Sequence, residues 1–352
     1  MIDLHLHLDG SLPPALVFAL AKEQGIPLPP DAQDAESLTP SLVCPPGCTS
    51  LNDYLTRFAL PVAVMQTESA IMRCVQGVLA ELKSEGVLYA EIRFAPGQHC
   101  RQDLSQENVV AAACRALAEG CRTLGIQAQL ILCCMRGAPD AQNAETLRLA
   151  REYLGKGVCA ADLAGAEALF PTRSYAPLFA AAPGLPFTIH AGEADGPESI
   201  RAALAMGAKR IGHGVRCIED AALVAELAQK GIPLEVCPTS NLHLCRLGAS
   251  PAENAAGGRR KGDREQRQPH RERHDRPKRN GAGRTAFGTE RCTASPALAE
   301  RRRCRLFARG PKAGAAGRRA GAPCGLNPAL CFARRSCYTM LYKERVSATG
   351  SI

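Results

Sequence analysis

Residues 1–250 alternate short apolar or β-branched runs with amphipathic stretches, the pattern of successive strand–helix units laid around a parallel sheet. Seven strands are expected: IDLHLHL (2–8), GVLYAEIRF (86–94), QAQLILCC (127–134), GVCAADLAG (157–165), PFTIHAGE (186–193), RIGHGV (210–215) and IPLEVCPTS (232–240). A helix from Leu12 to Glu23 and a long insertion to about residue 85 follow the first strand. Pro197 suits a first helical turn, and Gly207 and Gly231 suit the position just past a helix end. The expected fold class is α/β, a (β/α)8 TIM-type barrel, which accommodates a chain of this length as one unit. Seven strands leave such a barrel one short, so the first and seventh keep unpaired backbone edges. The eighth is due just after residue 250, where the pattern stops.

Charge divides the chain at the same place. Residues 251–352 carry 24 Lys and Arg against 8 Asp and Glu, whereas residues 1–250 carry 19 against 26. Two regions are therefore expected, an incomplete barrel over 1–252 and a basic, low-complexity, disordered tail over 253–352, unrelated to it. The start, MIDLHLHLDG, lacks the charged and apolar regions of a secretory signal, and no apolar run reaches the roughly 18 residues of a membrane span. A cytoplasmic protein without a membrane partner is expected. The 17 cysteines are odd in number and scattered, which argues against a disulfide framework; Cys44 and Cys48 have no second pair to make a zinc finger.

Side chains two apart on a strand share a face, so His5 and His7 project together from the first strand. Alone, the pair is read equally well as two metal ligands or as two polar residues at a strand end. His190 and His213 end the fifth and sixth strands, with Glu193 three residues beyond His190. In a parallel barrel all strand C-termini open on one face, so these five residues converge there. A metal held by His5, His7 and His190 could bring the pKa of water to about 7. His213 could then orient or deprotonate that water, and Glu193, buried, could act as a protonated acid.

The runs HLHLDGSL, YAEIRFAPG, DLAGAE, HAGEADGPESI, GAKRIGHGV and VCPTSN, in that order, resemble the adenosine deaminase family of metal-dependent hydrolases over residues 2 to about 250. The resemblance implies one Zn2+ held by His5, His7 and His190, with Glu193 protonating purine N1 and His213 handling the water that attacks C6. It further implies that Gly165 offers its backbone N–H to the purine and that Asp9 bonds the ribose 5′-hydroxyl. Adenosine, and 2′-deoxyadenosine with it, would become inosine or deoxyinosine and ammonia in purine salvage. Relatives acting on free adenine tend to carry HLEG where this chain has HLDG, which favours the nucleoside. Adenine or another amino-purine is the alternative substrate. Cytidine-type deaminases pair H-x-E with P-C-x-x-C, and no P-C-x-x-C run occurs here.

The family expects an eighth strand ending in a metal-binding aspartate, in a setting such as VNSDN or NTDDP, and residues 251–352 contain none. Degenerate codons for Ala255 to Gln268, with Arg as CGN, permit Leu-Leu-Ala-Ala-Gly-Val-Lys-Val-Thr-Val-Asn-Ser-Asp-Asn when read one nucleotide later. Glu300 to Leu306, shifted alike, permits Asn-Ala-Val-Asp-Ala-Ala-Phe, similar to the family's closing helix. A single frameshift between Glu253 and Ala255 explains both, and it implies a poorly folded, essentially inactive chain. The competing account is a non-catalytic protein that binds nucleic acid through its basic tail. That tail has few aromatic residues for stacking bases and no recognisable binding module, so no nucleic-acid partner is expected. Oligomeric state is not readable from the sequence.

Overall fold

The computed structural model describes residues 1–43, 55–238, 240–241 and 330–332. The chain divides into two units, Met1–Gly258 with Leu326–Ile352 and Arg259–Gly325, and every described residue lies in the first. All seven expected strands form: β1 (Ile2–His7), β2 (Tyr89–Phe94), β3 (Gln127–Met135), β4 (Val158–Ala164), β5 (Thr188–Ala191), β6 (Arg210–His213) and β7 (Leu234–Val236). With one further strand, β8 (Leu330–Phe332), they pair in parallel as two four-stranded sheets, β1-β2-β3-β4 and β5-β6-β7-β8, and a lone bridge between Ala161 and Phe187 links β4 to the start of β5.

The eighth strand corrects an expectation. The chain was expected to lack one, yet β8 (Leu330–Phe332) runs parallel to β7, with Glu235 opposite Cys331. An unpaired edge on β7 is a template for any extended segment, and Leu-Cys-Phe is an apolar run inside an Arg- and Gly-rich region. This strand carries no acidic residue and is not the one the family pattern calls for. The rest of the expected tail, 253–329 and 333–352, and the Cys44/Cys48 pair lie outside the described residues.

Helices fill the intervals: α1 (Pro14–Gln24), α2 (Ala35–Leu42), α3 (Ala59–Val64), α4 (Glu68–Ser84), α5 (Gln106–Leu124), α6 (Asp140–Glu152), α7 (Ala176–Ala180), α8 (Pro197–Ala205) and α9 (Ala221–Lys230). The longest follow from local signals. Thr67 caps α4 through the Ala70 N–H, and Ile71, Cys74, Val75, Val78, Leu79 and Leu82 form its buried stripe. Ser105 caps α5, and Gly125, left-handed at φ 62°, ends it. Pro197 opens α8, and Gly231 closes α9, as expected. Among the described residues no helix is long and apolar enough to cross a membrane, and no disulfide joins cysteines.

The strands do not enclose a purely apolar interior. Arg93 of β2 is fully buried and donates to Asp162 of β4 at 2.8 Å, to Glu235 of β7 at 2.7 Å and to the Leu4 carbonyl of β1 at 2.8 Å. Arg210 of β6 pairs with the other Glu235 oxygen at 2.6 Å and with Glu91 of β2. Thr188 of β5 also donates to Glu235, at 2.9 Å. One buried carboxylate thus binds two guanidiniums and a hydroxyl from three other strands. Removing one partner of such a set strands the remaining charges in a medium of low polarity. Glu235→Gln is therefore expected to cost about 3–5 kcal/mol in urea unfolding. A loss under about 1 kcal/mol would show that the cluster is not cooperative.

Candidate metal centre and active site

The alternation of β1 sends His5 and His7 to one side, while β5 and β6 deliver His190 and His213 from their C-terminal ends. His213 sits at φ 62°, a left-handed conformation that a non-glycine residue adopts at a cost, directly before the turn at Gly214. The four imidazoles converge. Ring centroids lie 4.7 Å apart for His5 and His190, 4.8 Å for His5 and His213, and 5.2 Å for both His7–His190 and His190–His213.

The outward ring nitrogens are anchored. His5 Nδ1 donates to Glu235 Oε2 at 2.8 Å, and His190 Nδ1 lies 2.9 Å from Asp162 Oδ2. Each carboxylate fixes the tautomer in which Nε2 carries the lone pair, the form a metal requires. Burial first, then Arg93, holds His5 well below the ordinary histidine pKa; burial and then His190 do the same for His7 and His213. These three rings are neutral at pH 7, which suits ligation.

The donor set fits a divalent ion. Nitrogens of His5, His190 and His213 all lie within 4.8 Å of one another and could hold a metal. His7, expected beside His5 and His190, is not in that group, but its Nε2 lies 3.1 Å from His190 Nε2. Two ligands of a tetrahedral zinc with bonds of about 2.0–2.1 Å stand about 3.3–3.4 Å apart, so this pair has the spacing of shared ligands. Hydrogen bonding sets His213 apart. The Cys237 N–H donates to Asn241 Oδ1 at 3.0 Å, which orients the amide so that its Nδ2 faces His213 Nδ1 at 3.0 Å. His213 Nδ1 therefore accepts, and the ring proton resides on Nε2, 3.4 Å from Glu193 Oε2. In that tautomer Nε2 is a donor and the ring's lone pair lies on Nδ1, toward Asn241.

Glu193 is buried and accepts from Ser240 Oγ at 3.2 Å. Burial, and secondarily the Glu167 carboxylate, push its pKa up to about 8. Asp9, just past β1, is also buried, which raises its pKa to about 7, and its Oδ1 has no hydrogen-bond partner among the described residues. Gly165, at the end of β4 with φ 105°, would place a Cβ 3.3 Å from Met135 Cε and 3.4 Å from the Arg136 backbone nitrogen. The conformation and the crowding both favour glycine.

Five residues of this neighbourhood escaped the sequence reading: Arg93, Asp162, Glu167, Glu235 and Asn241. For Asp162 and Glu235 a signal existed, since each is a lone acid inside an apolar strand, VCAADLA and LEV. A charge at such a position must have a buried partner.

Parallel strands that bring imidazoles and a protonated carboxyl together at their C-terminal ends make a metal-hydrolase type of site. Comparison with known proteins is more specific. The adenosine deaminase family matches residues 1–253. An adenosine deaminase of Haemophilus ducreyi is 49% identical over 249 residues, spanning 69% of this chain and 72% of the relative. One from Clostridium acetobutylicum is 40% identical over 244 residues, spanning 68% and 72%. Among solved structures, an adenine deaminase of Arthrobacter aurescens superposes with a TM-score of 0.61 at 31% identity, over 72% of this chain and 77% of that one. A zinc-bound amidohydrolase of Burkholderia ambifaria gives 0.62 at 19% identity, over 73% and 69%, a likeness of fold alone. The chain belongs to the adenosine deaminase family.

Glu193 makes stability depend on pH. Its folded pKa lies above the ordinary 4.5, at about 8, so the stability it contributes is full below pH 4.5 and is lost as pH rises to 8. Replacing it by Gln removes that slope. Relative to Glu193→Gln, the parent chain is expected to lose on the order of 3–5 kcal/mol between pH 4.5 and 8.5 in urea unfolding. Parallel pH curves for the two proteins would contradict a neutral Glu193.

Proposed function

We propose that this chain descends from, and over residues 1–252 retains the site of, an enzyme that hydrolyses adenosine and 2′-deoxyadenosine to inosine or deoxyinosine and ammonia. The observation that carries the reading is the Glu193 carboxyl, kept protonated near neutral pH beside four converging imidazoles. His5, His7 and His190 are the proposed zinc ligands, the first and last being the rings that carboxylates hold with Nε2 turned inward. Zinc bound there supplies a Lewis acid that makes water nucleophilic at neutral pH.

The chain's own groups do the rest. Glu193 gives its proton to purine N1, which makes C6 electrophilic; as water adds there, one of its protons passes to the amino group, which departs as ammonia, and the other returns to Glu193. The His213 Nε2–H points a donor at the incoming oxygen, an orienting role rather than that of a base. The Gly165 N–H holds the purine edge. Asp9 Oδ1, buried without a partner among the described residues, accepts the ribose 5′-hydroxyl, and this favours a nucleoside over free adenine.

The eighth strand of the (β/α)8 plan, and the aspartate it would bring to the metal, are proposed to have been lost to the frameshift near residues 253–255. The family match stops at residue 253. The shifted codon readings of Ala255–Gln268 and Glu300–Leu306 support the same account.

The test compares the 352-residue chain with a chain whose frame is restored after Glu253, measuring adenosine loss spectrophotometrically and zinc content by elemental analysis. The restored chain is expected to turn over adenosine at least about 100-fold faster, as losing a metal ligand costs no less than losing a partner behind one. It should prefer adenosine to adenine, and Asp9→Glu should narrow that preference. Equal rates for the two chains would reject the frameshift account, and inactivity of a folded, zinc-loaded restored chain would reject the deaminase reading.

A further inference from the structure

Glu167 stands in the loop after β4, buried, and none of the roles above uses it. Its Oε1 accepts the Gly192 N–H at 2.7 Å and the Ser199 hydroxyl at 2.5 Å. Its Oε2 accepts the N–H groups of Glu193 at 3.1 Å, Ala194 at 2.7 Å and Asp195 at 3.0 Å. Four consecutive backbone amides of the β5–α8 loop therefore close around one side chain. Gly192, at φ 72°, supplies the reversal that turns them inward. Five donors on two oxygens require a carboxylate, because a protonated oxygen would set hydrogen against hydrogen.

The network continues outward in one direction. Ser199 gives its proton to Glu167, so it accepts from the Thr172 hydroxyl at 2.6 Å, and Thr172 accepts in turn from Arg136 Nη2 at 2.9 Å. The same Arg136 nitrogen donates to the His190 carbonyl at 2.7 Å. The loops after β3, β4 and β5 are thereby locked by buried charge-assisted bonds on both sides of Gly192, with His190 before it and Glu193 after it.

We propose that Glu167 is the positioning residue of this site, its ionised carboxylate shaping the 192–195 loop and so holding Glu193 against His213. The proposal rests on the reading of Glu193 as the proton donor. No common replacement has the same capability. Gln keeps one acceptor oxygen and turns an NH2 toward the amides, and Asp falls short by one methylene, about 1.5 Å.

Hydrogen–deuterium exchange on the 352-residue chain tests this without any turnover, so a failed deaminase assay leaves the result intact. In the unaltered chain the amides of 192–195, which lie outside helix and strand, should exchange as slowly as those of β5. In Glu167→Gln they should exchange about 10- to 100-fold faster, with β1–β4 unchanged, because charge-assisted bonds are lost locally. In Glu167→Ala, added formate should slow them again by refilling the carboxylate position, a rescue that a general loss of packing would not show. Open-loop exchange at 192–195 in the unaltered chain overturns the proposal even if both variants fail to fold. So does unchanged exchange in Glu167→Gln, or acceleration spread evenly over β1–β4.

Discussion

The site depends on a buried ionic cluster behind it. Arg93 lies between Asp162 and Glu235, and those carboxylates hold the outer nitrogens of His190 and His5. Burial alone would drive both acids toward neutrality. Instead His190 and Arg93 hold Asp162 well below the usual carboxylate range, and Arg93 and Arg210 do the same for Glu235. Because both stay ionised, each accepts the Nδ1 proton of its histidine, and the Nε2 lone pairs face inward. The cost of burying Arg93 and its partners is offset only if each is satisfied, so strand positions and imidazole orientation are fixed by the same bonds.

The acids of this region are sorted by what lies beside them. Asp162 and Glu235 touch guanidinium groups and remain charged; for Asp9 and Glu193 burial prevails, over backbone N–H groups at Asp9 and over Ser240 and Arg136 at Glu193, and their pKa values rise to about 7 and about 8. Glu167 receives converging backbone amides, and its carboxylate helps raise the pKa of Glu193. Proton donor and proton acceptors can therefore coexist within one small volume.

Much of this was legible in the residues. The β1–β7 order follows from hydrophobic alternation, and the meeting of His5, His7, His190, His213 and Glu193 follows from placing each at a strand end. What stayed hidden is of one kind. Arg93, Asp162 and Glu235 are polar residues whose partners lie on distant strands, and a sequence shows the need for a partner without naming it. Asn241 and Glu167 act through backbone groups and an amide orientation that exist only once the loops have closed. The β8 pairing was missed because three apolar residues in a basic region carry almost no periodic signal, and β7 takes up whatever extended segment is at hand.

The proposed frame error near residue 253 would remove some features and leave others. The Arg93 cluster draws on β1, β2, β4, β5, β6 and β7, and the Glu167 lock on the loops after β3, β4 and β5, all within the residues that match the family. Both are complete without an eighth strand. The eighth strand that the resemblance implies would bring a carboxylate to the metal, whereas Leu330–Phe332 pairs with the β7 backbone edge and has no acid to bring. The structural and the chemical duties of that strand are thus separable. A chain that has lost the second can keep its imidazoles, its proton donor and its ionic interior in place while lacking the negative charge that would balance a divalent ion among neutral ligands.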